Sequence, residues 1–345
     1  MDSKTANIDP HPAKQLCTRA LGPLRVTAVS FGCMNLSHVY GGRPDRESAR
    51  VVLHKALDAG YTMLDTATLY AAGDNEALIG ETLKGRRGEY VLASKCGLKI
   101  IEGKRFCDSS PEGIRRACEE SLKRLQTDVI DLYYLHRLDR SVPIEESIGA
   151  LARLIEEGKI RGIGLSEMSA QTLRRAHAVH PIAAMQSEYS LWTRNVEIAV
   201  LDACKELGVA FVAFSPLARA YLTGKLRDID ALEAGDFRKT SPRFLGEDWQ
   251  ANLKLLEPMA AIASEVGCTM SQLALAWILA QGDHVIALPG TTKIDHLIEN
   301  AGAADVRLDA DTVRRIGEII NQNTVHGPRY TPAQQSDIDT EEFAS

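Results

Sequence analysis

No C-x-x-C occurs in this chain, and its seven cysteines are odd in number. A disulfide framework and a cysteine zinc site are therefore not expected, and the thiols read as small, reduced hydrophobes. The nine histidines show neither H-x-x-x-H nor H-E-x-x-H spacing, so no metal is expected. There is no basic block, the net charge is −6 and only 6% of residues are aromatic, which argues against a nucleic-acid or anionic-membrane partner. No apolar run approaches the roughly 18 residues of a membrane helix. The first residues, Met1 to Gln15, are polar and lack the apolar centre of a signal peptide, so a cytoplasmic protein is expected. A strand-bound G-x-G-x-x-G is also missing. The nearest string, Gly162-Ile-Gly164-Leu-Ser-Glu167, fails at its third glycine.

What is present is a rhythm. Short apolar runs at 27–32, 61–65, 90–95, 129–135, 160–165, 182–187, 209–215 and 285–289 alternate with amphipathic stretches. Those stretches, near 46–59, 74–84, 111–125, 145–158, 170–179, 195–207, 270–281 and 293–303, have helical spacing. Pro44-Asp45 and Ser110-Pro-Glu112 supply helix starts. Eight strand–helix units with continuously apolar strands predict an α/β fold of the closed (β/α)8 TIM-barrel type rather than an open sheet. Leu21-Gly-Pro23 predicts an N-terminal β-hairpin. No linker divides the chain, so 1–345 reads as a single domain with its core at about 19–330, polar tails at 1–15 and 331–345, and a long loop at 218–250 after strand seven. A terminal helix is expected near 310–321, and simple fraying beyond Pro332.

Three apolar runs end on, or hand over to, ionisable residues: Asp65 with Tyr70, Lys95, and His136. Burying such groups at strand ends is costly unless they satisfy one another. A tyrosine titrates near about 10, a poor acid at neutral pH unless its phenolate is stabilised. A lysine ammonium about 4 Å away contributes on the order of 4 kcal/mol at an effective dielectric of about 20. Asp65 would keep Lys95 charged, and His136 would hydrogen-bond the same substrate oxygen. The set makes a proton donor for a carbonyl oxygen.

Leu64-Asp-Thr-Ala-x-x-Tyr70, Ala93-Ser-Lys95 and Tyr133-Tyr-Leu-His136 resemble the signature set of the aldo-keto reductase superfamily, over about Arg19 to Tyr330. Phe31-Gly-Cys-Met34 and Ser215-Pro-Leu217 belong to the same likeness. It implies a barrel that reduces aldehydes or ketones with a nicotinamide cofactor. Tyr70 would be the general acid, Lys95 and Asp65 its tuning pair, and His136 the orienter. Gly32, Met34, Asp65 and Leu217 would fall on the cofactor side.

The loops after strands seven and eight have the chemistry for a dinucleotide. Phe214 offers an aromatic face for the nicotinamide. Ser215, the following backbone amides, Arg219 and Lys225 offer donors to the pyrophosphate. Pro289-Gly290-Thr-Thr292-Lys293 leads into a helix carrying His296, Glu299 and Asn300, which by the resemblance would grip the adenosine end. Ser166 and Gln186 would hold the carboxamide. Many relatives carry Asn where Glu167 stands, and an ionised Glu only accepts hydrogen bonds. Many also place Lys and Arg where this chain has Gly290 and His296; Lys293, Arg238 or Arg243 would then meet a 2′-phosphate. NADPH is the expected cofactor, with NADH as the alternative.

Met34, Tyr40, Tyr70, Trp192 and loop residues near 219–250 and 326–330 are expected to line the substrate pocket. An apolar wall of this kind implies carbonyls with hydrophobic or mixed substituents, and no cluster for anchoring a charged substrate is evident. Two rival readings remain at this stage. One is a slow cofactor-sensing regulatory subunit of the same fold, as in the barrel subunits of potassium channels. The other is a Schiff-base lyase using Lys95.

Overall fold

The computed structural model describes residues 16–37, 40–101 and 104–343, the side chains of 101, 104 and 105 excepted. Its centre is one sheet of eight parallel strands: β1 (Phe31–Gly32), β2 (Met63–Asp65), β3 (Val91–Cys96), β4 (Leu132–Leu135), β5 (Ile163–Ser166), β6 (Ile182–Glu188), β7 (Ala210–Phe214) and β8 (Val285–Leu288). Neighbours pair in chain order, and bridges from Val29 to Ala287 and from Gly32 to Gly290 bring β8 back to β1. The sheet is a (β/α)8 barrel. Its first strand is shorter than the apolar run at 27–32 suggests, because only Phe31 and Gly32 hold a continuous ladder with β2.

Apolar side chains fill two layers. A large cluster lies between sheet and helices, where Ile114, Ile148, Leu173 and Leu273 are fully buried. A smaller cluster occupies the barrel interior and includes Met63, Ala93, Leu132, Ala184 and Ile286. Strands that are apolar on both faces follow from this double burial. The hairpin Thr18–Leu21/Leu24–Thr27 closes the amino-terminal end by adding Leu21 and Val26 to the interior layer. Gly22 at its turn has φ +54°, and a Cβ there would stand 2.8 Å from that of Ala183. Glycine suits both the turn and the close approach.

Helix starts follow local chemistry. Asp45 caps Arg46–Asp58, Ser110 caps Pro111–Leu125 with Pro at the first position, and Ser169 caps Ala170–Val179, each side chain accepting a backbone N–H. Three departures from the sequence reading matter. The expected helix 195–207 is a single turn, Asn195–Glu197, followed by Val200–Leu207. The stretch after β7 is folded into short 3-10 turns and two further helices, Gly246–Lys254 and Leu256–Val266, and an extra hairpin, Leu98–Ile101/Lys104–Cys107, follows β3.

The third departure corrects the view of 331–345 as a frayed polar tail. As far as Phe343 the segment is described, and it packs across the carboxyl end of the barrel. Asp339 accepts from the Ser169 amide at 3.0 Å and from Thr172 Oγ1 at 2.7 Å, and its own amide donates to the Glu167 carbonyl at 2.9 Å. Ile338 and Thr340 are buried. The polar composition that reads as a solvated end instead satisfies a helix start. Residues 1–15 lie outside the description.

Candidate active site

Asp65 ends β2, Lys95 lies one residue before the end of β3, and His136 follows β4, so the barrel brings three distant strand ends to one mouth. Tyr70 arrives from the loop after β2. That loop is fastened to the next strand, with the Thr68 amide and hydroxyl both donating to the Lys95 carbonyl. Ala71 and Ala72 then turn the chain with φ of 48° and 52°. Of the eight non-glycine residues with positive φ among the described residues, seven border this mouth: Ala71, Ala72, Glu167, Ser215, Ala218, Arg219 and Ala220. Such backbone costs on the order of 1 kcal/mol or more each and persists where side chains must be placed.

The Lys95 ammonium is 1% exposed. It donates to the Asp65 carboxylate, to the Thr66 carbonyl at 2.9 Å and to the Tyr70 hydroxyl at 3.3 Å. The other Asp65 oxygen accepts from Gln186 Nε2 at 2.9 Å. Burial alone would lower the Lys95 amine, but Asp65 and Tyr70 outweigh it and hold the group charged. A Schiff-base role needs the neutral amine, so this geometry opposes it. The His136 ring stands edge-on to that of Tyr70, with centroids 6.1 Å apart.

For Tyr70 the balance differs from the simple sequence argument. Burial pushes the phenol up, and the pull of Lys95 reduces this rise without reversing it. The hydroxyl therefore keeps its proton at neutral pH, as a proton donor must. Lys95 limits the cost of giving that proton up.

Tyr70 and His136 open onto a cavity of about 260 Å³. It is also lined by Gly32, Met34, Tyr40, Asp65, Ser166, Gln186, Phe214, Ser215, Leu217, Arg219 and Gly290 among the residues singled out in the sequence. Gly290 allows close approach, because a Cβ there would lie 2.9 Å from the Gly32 carbonyl oxygen. After β7, the left-handed residues Ala218, Arg219 and Ala220 form a turn of the kind that gathers backbone N–H groups. Lys225, Thr292, Lys293, His296 and Glu299 stand beyond the cavity lining. Lys225 is 3.8 Å from Glu299, and burial together with Lys225 and Lys293 lowers the His296 pKa. Asn300 is buried in the helix Ile294–Gly302.

Several expectations need correction. Trp192 is 2% exposed and does not reach the cavity. It stacks on Tyr221 at 4.3 Å and meets Phe244 edge-on at 5.1 Å, because a large indole beside other aromatics is better buried than wet. Arg243 is spent on the Trp192 carbonyl, on Thr193 Oγ1 at 3.0 Å and on the Gly327 carbonyl at 3.1 Å. Arg238 grips both oxygens of Asp236 at 2.9 and 2.7 Å and lies 5.2 Å over the Tyr40 ring, so its charge is already neutralised. Glu167 is fully buried but faces away from the cavity. Its carboxylate accepts from Arg329 at 2.8 Å and Thr340 at 3.0 Å.

Glu167 belongs to a charge layer that fastens the C-terminal segment. Glu188 accepts from Arg329 at 3.0 Å, Tyr330 at 3.1 Å and Arg219 at 3.3 Å. Burial would raise the Glu188 carboxyl, yet these guanidinium groups outweigh it and hold it at about 2. The segment thereby contributes Tyr330, Gln334, Asp337 and Ile338 to the cavity wall. The first lies within the predicted 326–330 stretch, whereas the other three lie in the stretch whose composition predicts a polar tail. Arg137 was also overlooked, although a cation directly after His136 at a strand end was a visible signal. Among the described residues, no group of three His, Cys, Asp or Glu is arranged to hold a metal, and no single helix is long and apolar enough to cross a membrane.

The Aldo/keto reductase family model matches residues 28–321. Among solved structures, the glycerol dehydrogenase AKR11B4 from Gluconobacter oxydans is 29% identical with a TM-score of 0.81, covering 91% of this chain and 98% of that one. The holo form of aldo-keto reductase AKR11C1 from Bacillus halodurans is 30% identical with a TM-score of 0.76, over 89% and 96%. An aldo/keto reductase from Klebsiella pneumoniae in complex with NADP and acetate is 28% identical with a TM-score of 0.70, over 91% and 98%.

Proposed function

The chain belongs to the aldo/keto reductase family and is an NAD(P)-dependent oxidoreductase, and from that premise we propose that it reduces a small aldehyde or ketone with NADPH, using Tyr70 as the proton donor. The observation that carries this reading is the Tyr70 hydroxyl, 3.3 Å from a buried, charged Lys95 at the edge of the cavity.

When bound, the nicotinamide supplies a hydride to the carbonyl carbon. Ser166 and Gln186 suit its carboxamide, Phe214 its ring, and the turn at Ser215–Ala220 its phosphates. Lys293, with Lys225 nearby, offers the cationic surface that favours a 2′-phosphate over a diol. The substrate oxygen takes the Tyr70 proton, and the C=O becomes CH–OH. His136 directs that oxygen toward the hydroxyl. The phenolate left behind faces the Lys95 ammonium, whose own charge is balanced by Asp65, so the developing charge meets fixed partners rather than reorganising water. The reverse reaction uses the same groups with the phenolate as base.

A panel of aldehydes and ketones, with the oxidation of NADPH and NADH followed by absorbance, tests this. Turnover with NADPH preferred is expected. No oxidation of either nucleotide by any carbonyl would overturn the assignment.

A further inference from the structure

Two guanidinium groups line the cavity, and they differ in one respect. Arg219 is neutralised, with Nη2 3.3 Å from Glu188 and its guanidinium between the rings of Phe237 and Tyr330 at 4.9 and 5.2 Å. Arg137 has no such carboxylate among the described residues. It donates through Nη1 alone, to the His136 carbonyl at 2.6 Å and to Ser166 Oγ at 3.3 Å. Those two bonds fix the guanidinium against the wall beside the reacting groups. Glu167 lies within its field but is engaged by Arg329 and Thr340, and Asp337 shares the cavity wall. Arg137 also acts on the phenol of Tyr70: burial raises that group, with Lys95 and then Arg137 opposing the rise. A half-buried cation in no ion pair among the described residues thus lines the cavity into which Tyr70 and His136 open.

We infer that Arg137 is a specificity-determining residue that holds a carboxylate of the substrate, so that the preferred substrates are oxo acids, carbonyl compounds that carry a carboxylate. This rests on the carbonyl-reductase reading above and revises the sequence-based expectation of a purely apolar or mixed substrate. The planar fork of Arg matches a carboxylate in geometry as well as charge. Its anchorage by the backbone of His136 also ties the anion site to the residue that directs the carbonyl oxygen. Little reorganisation would then separate binding from reaction.

The test compares wild type, Arg137→Met and Arg137→Lys with two pairs of aldehydes, succinic semialdehyde against butanal and 4-carboxybenzaldehyde against its methyl ester. In wild type the acid of at least one pair should have the higher kcat/KM. In Arg137→Met the ratio of acid to neutral partner should fall roughly 10- to 100-fold, chiefly through KM, as expected for one or two hydrogen bonds to a charged group. Arg137→Lys should keep part of the ratio, because the charge survives while the fork is lost. Calorimetric titration with 4-hydroxybutyrate supplies a readout that needs no turnover, and binding should weaken at least about tenfold in Arg137→Met. A wild-type ratio at or below one in both pairs, or a ratio and a titration unchanged by Arg137→Met, would overturn the inference. If no carbonyl oxidises NADPH while 4-hydroxybutyrate binding still depends on Arg137, the reductase reading falls and the anion site stands.

Discussion

Both ends of the barrel bury an ion pair, but the two pairs are built to opposite purposes. At the amino-terminal end, Asp131 is 2% exposed and accepts from Arg87 at 2.7 Å, Arg161 at 2.8 Å and the Leu92 amide at 2.8 Å. Arg87 spends its other donors on the Tyr90 and Val129 carbonyls and Thr127. The Asp131 carboxylate is saturated by protein donors, and none of its partners is a group that could pass a proton to a carbonyl, although Arg161 is 57% exposed. At the carboxyl-terminal end, the Lys95–Asp65 pair is buried on both sides, yet one of its ammonium contacts is a hydroxyl that opens onto a cavity. Saturation makes a brace, whereas a shared partner left facing a cavity makes a reactive group. The backbone agrees, since left-handed non-glycine residues gather at the second end and the first is plugged by an apolar hairpin.

The sharpest way to break this contrast is to remove one group from each end. Tyr70→Phe is expected to lower turnover by about 10²–10⁴-fold, the usual worth of a positioned general acid, with cofactor affinity within a few-fold and thermal stability little changed. Asp131→Asn should do the reverse, losing about 1.5–3 kcal/mol of stability because the hydrogen bonds from Arg87 and Arg161 lose their charged acceptor. Its folded fraction should turn over near the wild-type rate. Steady-state kinetics beside denaturant titration decides the matter; a Tyr70→Phe enzyme that reduces carbonyls at a comparable rate would remove the distinction.

A second test asks whether the upper pair tunes the tyrosine. Carbonyl reduction needs the protonated phenol, so the rate falls as pH rises through its pKa. Burial sets that pKa above the ordinary value, and Lys95 holds the rise in check. Lys95→Met removes the restraint, so the pKa rises further and the falling limb should move to higher pH. Turnover should also drop, since the departing phenolate loses its cation. A pH–rate profile whose limb stays in place would take Lys95 out of the tuning role.

Much of the upper end was legible because its chemistry lies on strands. Asp65, Lys95 and His136 each sit at the close of an apolar run, where a charge has no structural excuse. The C-terminal segment was not legible, because its order comes from partners far away in sequence. Asp339 accepts from the amide and hydroxyl of Ser169, which caps the helix that begins at Ala170, and Arg329 reaches Glu167 and Glu188. Composition scores such residues as solvated and cannot name the acceptor. One local signal was present, since Thr331-Pro-Ala-Gln334 forms a capping box for the turn Pro332–Gln335. Trp192 misled for the opposite reason. An indole just after a strand suits a pocket wall or an aromatic cluster equally well, and only packing separates the two.

The charge layer beneath that segment gives the third test. Glu188 is held at about 2 in the folded chain, against about 4.3 for a free glutamate. Its contribution is therefore complete above roughly pH 4.3 and is lost as pH falls toward that folded value. Arg329→Met leaves two buried carboxylates without their shared cation. It should release the segment at neutral pH, seen as faster hydrogen exchange at the Asp339 amide, which donates to the Glu167 carbonyl. KM should rise several-fold more than kcat falls, since the wall formed by Tyr330, Gln334 and Ile338 is loosened while the Lys95–Tyr70 contact is untouched. Unchanged exchange at Asp339 would mean that the segment is held by its apolar contacts alone.

The smallest expected effect concerns the rim of the same end. Arg238 lays its Nε–Nη2 edge on Asp236 and donates through Nη1 to the Arg219 carbonyl, whereas Lys293 is exposed and forms no ion pair among the described residues. An exposed ammonium held by no carboxylate is free to meet a 2′-phosphate, but solvent screens it, so its worth is about 1 kcal/mol or less. Lys293→Ala should thus weaken NADPH by a few-fold and leave NADH nearly alone, while Arg238→Ala should affect the two alike by loosening the Asp236 turn. Parallel titrations of both nucleotides, repeated at high salt, separate these outcomes. A salt-insensitive loss of equal size for NADPH and NADH in Lys293→Ala would place the phosphate elsewhere on the rim.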